Sequence, residues 1–179
     1  MPIAVLTTTH HRYKETLLRI EQNDNTCKEL TIAEGAYTRD GRQEFNSRDD
    51  FARLGTNIGT NTHLINLVVD PSELDVTHRE FFDGLTRNSS IKKVYLHGSR
   101  SMNDAGVAHE ILKSYQTNSN NLVNLCLHNI NLQNEGGHVL AATIQSCTNL
   151  NLLSLTNSDI RIISNSYIYW LMQLGGIIL

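Results

Sequence analysis

Charge is sparse in this chain. Asp, Glu, Lys and Arg make up 18% of its 179 residues and leave a net charge of −3. Such a chain lacks the basic footprint that a polyanion requires, which sets nucleic acid aside as a partner, and the single basic pair Lys92-Lys93 reads as a solvated edge. A hydrophobic fraction of 40% is equally unlike a disordered segment. Metal-type cysteine spacing is missing too. The cysteines are Cys27, Cys126 and Cys147, an odd number with no C-x-x-C pair. That argues against a disulfide framework and fits reduced thiols in the cytoplasm. The N-terminus, MPIAVLTTTHHRYKETLLRI, has no cationic start followed by a sustained apolar core, so it does not read as a secretory leader.

Charge also thins along the chain. From Ile111 onward only Lys113, Glu135, Asp159 and Arg161 are ionic. The last eighteen residues, IISNSYIYWLMQLGGIIL, are apolar but broken by Ser164, Asn165, Ser166, Gln173 and Gly175-Gly176. The run is at the short end for a membrane helix, and no membrane association is expected. We divide the chain into a main domain over 1–160, opening with a helical cap, and an apolar segment over 161–179 that is a cap, a partial repeat or a truncated end.

What the chain does have is repetition. Leu122-x-x-Leu125-x-Leu127 returns as Leu150-x-x-Leu153-x-Leu155, with a polar turn and the helical run HVLAATI between the two. The same opening occurs at Cys27-x-x-Leu30-x-Ile32, Leu64-x-x-Leu67-x-Val69 and Ile91-x-x-Val94-x-Leu96, so successive units are 37, 27, 31 and 28 residues apart. Alternate residues of a strand face opposite sides, so the fourth and sixth positions share a core face. Ten residues before each opening stands another large apolar residue, Leu17, Leu54, Phe81, Leu112 or Leu140. This fixed register predicts a helix packed behind every strand. One such unit cannot bury its own leucines, so units must stack.

Several local readings follow. Residues 11–23 predict a short amphipathic helix. Ser47 is placed to cap the second helix, with Asp49 and Asp50 in its first turn. The extra length of that unit is expected as a loop over Thr38–Asn46. Gly55-Thr-Asn-Ile-Gly59 has the look of a phosphate loop but no lysine follows, and we expect a helix-ending turn there. Gly106 and Gly136 are expected to let the chain turn beneath the strands. Position eleven of the units is apolar in Tyr37, Leu74, Leu132 and Ile160, with Met102 standing in beside Ser101.

Taken together, these motifs resemble a leucine-rich repeat protein, of the long-repeat ribonuclease-inhibitor-like subfamily, over roughly Leu17 to Ile160. The resemblance implies an α/β solenoid: a parallel sheet of about five strands on the concave face, helices on the convex face, and protein binding as the use. Position nine departs from the family, carrying Gly35, Ser72, Ser99, Ile130 and Ser158 where Asn or Cys is customary.

In such a sheet the third, fifth and seventh positions face outward. The third holds Glu29, Asn66, Lys93, Asn124 and Leu152; the fifth Thr31, Val68, Tyr95, Cys126 and Ser154; the seventh Ala33, Asp70, His97, His128 and Thr156. We take Asn66, Val68, Asp70, Lys93, Tyr95, His97, Asn124, Cys126, His128, Ser154 and Thr156 as the binding surface for a protein partner. Tyr95 is central, because tyrosine offers a large apolar area and a hydroxyl at small entropic cost. An alternative is that Asp70, His97 and His128 form a metal-binding or hydrolytic row, and Cys126 beside His128 could make a nucleophile–base pair. No orienting third group or oxyanion donor is identifiable, so we assign no catalytic residue, metal or cofactor. A further alternative is a fragment of a longer repeat array.

The stacking reading makes a stability prediction. Leu125→Ala should lower unfolding free energy by about 2–5 kcal/mol, the range for truncating a buried leucine. Chemical denaturation measures it, and a loss near zero would mean the register is wrong.

Overall fold

The computed structural model describes residues 10–33, 48–99, 102–117, 121–158 and 177–178. Helix and strand alternate along it: α1 (His10–Glu21), β1 (Glu29–Ile32), α2 (Arg48–Thr60), β2 (Asn66–Val69), α3 (Arg79–Arg87), β3 (Lys93–His97), α4 (Met102–Thr117), β4 (Asn124–His128), α5 (Gln133–Ser146) and β5 (Leu152–Thr156). A two-residue strand, β6 (Ile177–Ile178), follows. The strands form one sheet in chain order, every neighbouring pair parallel. Each crossover from β1 to β5 carries a helix, and the helices pack in the same order, α1 on α2, α2 on α3, α3 on α4 and α4 on α5. This is a short leucine-rich-repeat solenoid with helices on one side of a parallel sheet.

The register follows the leucine pattern. Leu30, Leu67, Val94, Leu125 and Leu153 pair in sequence across the sheet, and Ile32, Val69, Leu96, Leu127 and Leu155 make a second row. All ten are buried in one continuous core with Leu17, Leu54, Phe81, Leu112 and Leu140, the expected helical row. Position eleven is buried at Leu74 and Leu132. Ser47, the Thr38–Asn46 stretch, Tyr37, Ile160 and the side chain of Met102 lie outside the described residues; Asp49 and Asp50 do sit in the first turn of α2. β6 extends the sheet past β5, with Leu153 opposite Ile177.

The glycines behave differently from expectation. Gly55 and Gly59 lie inside α2, Gly106 inside α4 and Gly136 inside α5. Glycine is a poor helix former, but here contact between helices outweighs that preference. A methyl group on Gly55 would overlap the backbone of Glu80 and Phe81, and one on Gly84 would overlap the backbone of Gly55. The two helices touch backbone to backbone at this pair. Gly136 leaves room for the His109 ring, whose Nε2 lies 3.3 Å from the Leu132 carbonyl.

A second device ties the units together. Three residues before four of the five strand motifs stand Asp24, Asn61, Asn88 and Cys147; the fifth, Ser119, lies outside the described residues. Asn61 Oδ1 accepts from the His63 and Leu64 amides, both at 2.8 Å. Asn88 Oδ1 does the same for Ser90 (2.9 Å) and Ile91 (2.8 Å). The other end of each amide reaches the preceding helix: Asn61 donates to the Ile20 carbonyl at 3.2 Å, Asn88 to those of Ile58 (2.7 Å) and Asn61 (2.9 Å). Both asparagines are buried. Cys147 occupies the same place in the last unit, its thiol 3.8 Å from the Tyr115 carbonyl. Asp24 holds only its own turn, accepting from the Thr26 amide at 2.8 Å. Arg19 Nε donates to its other oxygen at 2.8 Å, and that hydrogen bond holds the carboxyl well below the usual carboxylate range.

The glycine contact generates a prediction opposite in sign to helix propensity. On an open helix Gly→Ala stabilises by about 0.5–1 kcal/mol. Gly84→Ala should instead destabilise by about 1–3 kcal/mol, the scale of overpacking. Urea midpoints of the variant and of the wild-type chain give the sign directly.

Candidate binding face of the sheet

The residues that alternate with the core rows face away from the helices. They are half-exposed across the sheet: Glu29 and Thr31 on β1, Asn66 and Val68 on β2, Lys93 and Tyr95 on β3, Asn124, Cys126 and His128 on β4, Leu152 and Ser154 on β5. His97 and Thr156, at the strand ends, are exposed. The parallel register puts Val68, Tyr95, Cys126 and Ser154 in one line and Asn66, Lys93, Asn124 and Leu152 in another. Tyr95 therefore sits between Val68 and Cys126, and Lys93 between two asparagines. Glu29 belongs to the same surface: its carboxylate accepts from Asn66 Nδ2 at 3.2 Å and from the Thr31 hydroxyl at 3.5 Å. At the far side the Ser154 and Thr156 hydroxyls lie 3.3 Å apart.

Two of the three members of the expected Asp-His-His row come together. His97 and His128 are register partners, with ring centroids 4.4 Å apart and planes at 75°. Asp70 does not join them. β2 ends at Val69, and Asp70 starts the single 3-10 turn Pro71–Glu73. Its Oδ1 accepts from the Ser72 amide at 2.9 Å and from the Ser72 hydroxyl at 2.7 Å. Proline at the next position fixes the chain for that turn, and the carboxylate caps it instead of facing the histidines. Among the described residues no group of three His, Cys, Asp or Glu side chains is placed to hold a metal ion.

The serines at position nine also have identifiable work. Ser99 donates from its amide at 2.6 Å and from its hydroxyl at 3.0 Å to Asp104 Oδ2, a fully buried carboxylate in the first turn of α4. Ser158 donates to the Leu127 carbonyl of the preceding strand at 3.2 Å. One residue before position nine in the last two units, Asn129 and Asn157 take left-handed φ values of 55° and 52° to turn the chain off β4 and β5. Sequence reasoning passed over these two. The signal was available, since asparagine tolerates that conformation better than other non-glycine residues.

The three thiols are free and differently placed. Cys27 and Cys147 are buried and Cys126 is half-exposed on the open face. Burial pushes all three above the usual thiol value, Cys147 to about 11. No helix among the described residues is long and apolar enough to cross a membrane.

No family model matches this sequence, and no curated protein does. Solved structures do. The chain is similar to the leiomodin-1 actin-binding site 2, with a TM-score of 0.60 and 15% identity over 90% of this chain and 86% of that one. It is similar also to the C-terminal domain of a Caenorhabditis elegans tropomodulin, with a TM-score of 0.60 and 12% identity over 90% and 89% of the two chains. Identities this low carry the fold alone, and they agree with the leucine-rich-repeat-like architecture described above.

The placement of the thiols can be checked by labelling. Under native conditions a maleimide should modify Cys126 first, with Cys27 and Cys147 reacting only on unfolding. Mass spectrometry of the labelled peptides reads the order. Rapid native labelling of Cys147 would contradict its burial.

Proposed function

We propose that this chain is a non-catalytic scaffold that binds a protein partner across the open, concave face of its sheet. The observation that carries this reading is the sheet face that none of the described elements covers. Helices bury one side, while the other presents side chains of mixed character in straight rows, with Tyr95 near the middle. Val68 and Cys126 flank it with apolar surface, and Lys93, Asn66 and Asn124 lie one row away. Large aromatic area ringed by polar groups is the composition of energetically dominant interface centres. The leiomodin neighbour is named for an actin-binding site, which supports protein recognition as a use to which this fold is put.

The finer assignments belong to the same proposal. Units of 27 to 37 residues support the ribonuclease-inhibitor-like subfamily, whose repeats are long. Three free thiols, two of them in the core, support a reducing cytoplasmic setting. β6, paired to β5, supports a partial sixth unit within 161–179.

A photo-cross-linking amino acid tests the face. Placed at Val68 it should capture a discrete protein adduct in cells, and placed at Leu18 on the outer side of α1 it should not. Adding Tyr95→Ala should reduce the Val68 adduct and weaken the captured partner's affinity roughly thirtyfold, the loss of a dominant interface side chain. Equal adducts from the two positions, or an adduct indifferent to Tyr95, would overturn the proposal.

A further inference from the structure

His97 and His128 occupy equivalent places on adjacent strands and sit on the uncovered side of the sheet. Two other histidines of this protein have a ring nitrogen in use. His78 Nδ1 accepts from the Asp75 amide at 2.9 Å, and His109 Nε2 lies against the Leu132 carbonyl. Among the described residues, neither imidazole of the His97–His128 pair has a hydrogen-bond partner. Two imidazoles held side by side by the strand register place two metal-binding side chains within reach of one ion.

The spacing has a specific meaning. A metal sits about 2.0–2.1 Å from an imidazole nitrogen, and the ring centroid lies roughly 1.1 Å behind that atom. Two imidazoles bound in cis to one ion therefore place their centroids about 4–5 Å apart. The pair stands at 4.4 Å in an edge contact, within reach of one ion once the rings turn. Rotation about the last side-chain bond of histidine meets only broad, shallow preferences, so both nitrogens can turn to a shared point.

The geometry points to a two-histidine site for a divalent transition metal of the nickel, copper and zinc class, bound in cis by His97 and His128. Asp70 is held by Ser72 and adds nothing. Since no third His, Cys, Asp or Glu joins the pair among the described residues, water completes the coordination sphere. The remaining positions face solvent and stay open to an external donor. This inference stands apart from the protein-binding reading and survives its failure.

Nickel(II) is the appropriate probe, because copper(II) would oxidise the half-exposed Cys126 thiol. His10 and His11 form a second adjacent pair near the N-terminus, so the full chain is titrated with both replaced by alanine. Calorimetry should show one saturable Ni2+ site per chain. His97→Ala and His128→Ala should each weaken it by at least about tenfold, with circular dichroism unchanged. Paramagnetic broadening of amide signals should centre on β3 and β4. No saturable binding in that background, or either histidine variant retaining full affinity, would overturn the site.

Discussion

Every unit of this protein depends on its neighbour to keep its aliphatic side chains out of water. Leu30, Leu67, Val94, Leu125 and Leu153 stand at one register of five adjacent strands, and each is buried among neighbouring strands and the helices behind them. A lone strand–helix pair would leave that surface wet on two sides. At roughly 25 cal/mol per Å² of apolar area, the shared rows of the core are the dominant favourable contribution to folding. The same arrangement fixes the opposite face, because a one-residue slip would exchange the buried and exposed sets. The rows through Tyr95 and Lys93 are thus a by-product of the leucine register, positioned before any partner is involved.

Hydrophobic burial does not by itself align the units along their length. Polar side chains supply that. Asn61 and Asn88 each hold the entry to their own strand and, through the amide nitrogen, the end of the preceding helix. Thr143 does related work between helices, its hydroxyl donating to the Leu112 carbonyl of α4 at 3.1 Å, and Ser114 reaches the Phe82 carbonyl of α3 at 3.2 Å. Most of these bonds are buried, so a slipped arrangement would leave donors and acceptors without partners at a cost of about 1–3 kcal/mol each. The open face is consequently a stiff platform, with its side chains presented from strands.

The architecture was largely legible because it rests on periodicity. Strand positions, helix positions and both core rows follow from the L-x-x-L-x-L spacing and from the apolar residue ten places earlier. The outward rows were legible for the same reason. What escaped reading depends on contact between residues distant in sequence. Gly55 looks like a turn residue until Gly84 is placed against it. Asn61 and Asn88 look like loop residues until the helix ends above them are in position. Asp70 fits the histidine row by counting, but the residue that decides its direction is Pro71, which ends the strand and begins a 3-10 turn. Counting along a strand fails where the strand stops.

The glycine pair has a geometric consequence for the solenoid as a whole. Strands in a sheet are about 4.8 Å apart, whereas packed helices ordinarily keep their axes about 8–10 Å apart. That mismatch is what bends a layer of helices around a layer of strands. Where Gly55 meets Gly84, no side chains separate α2 from α3, so the two spacings come closer to agreement. A backbone-to-backbone helix contact thus lies behind the two strands that carry Val68 and Tyr95.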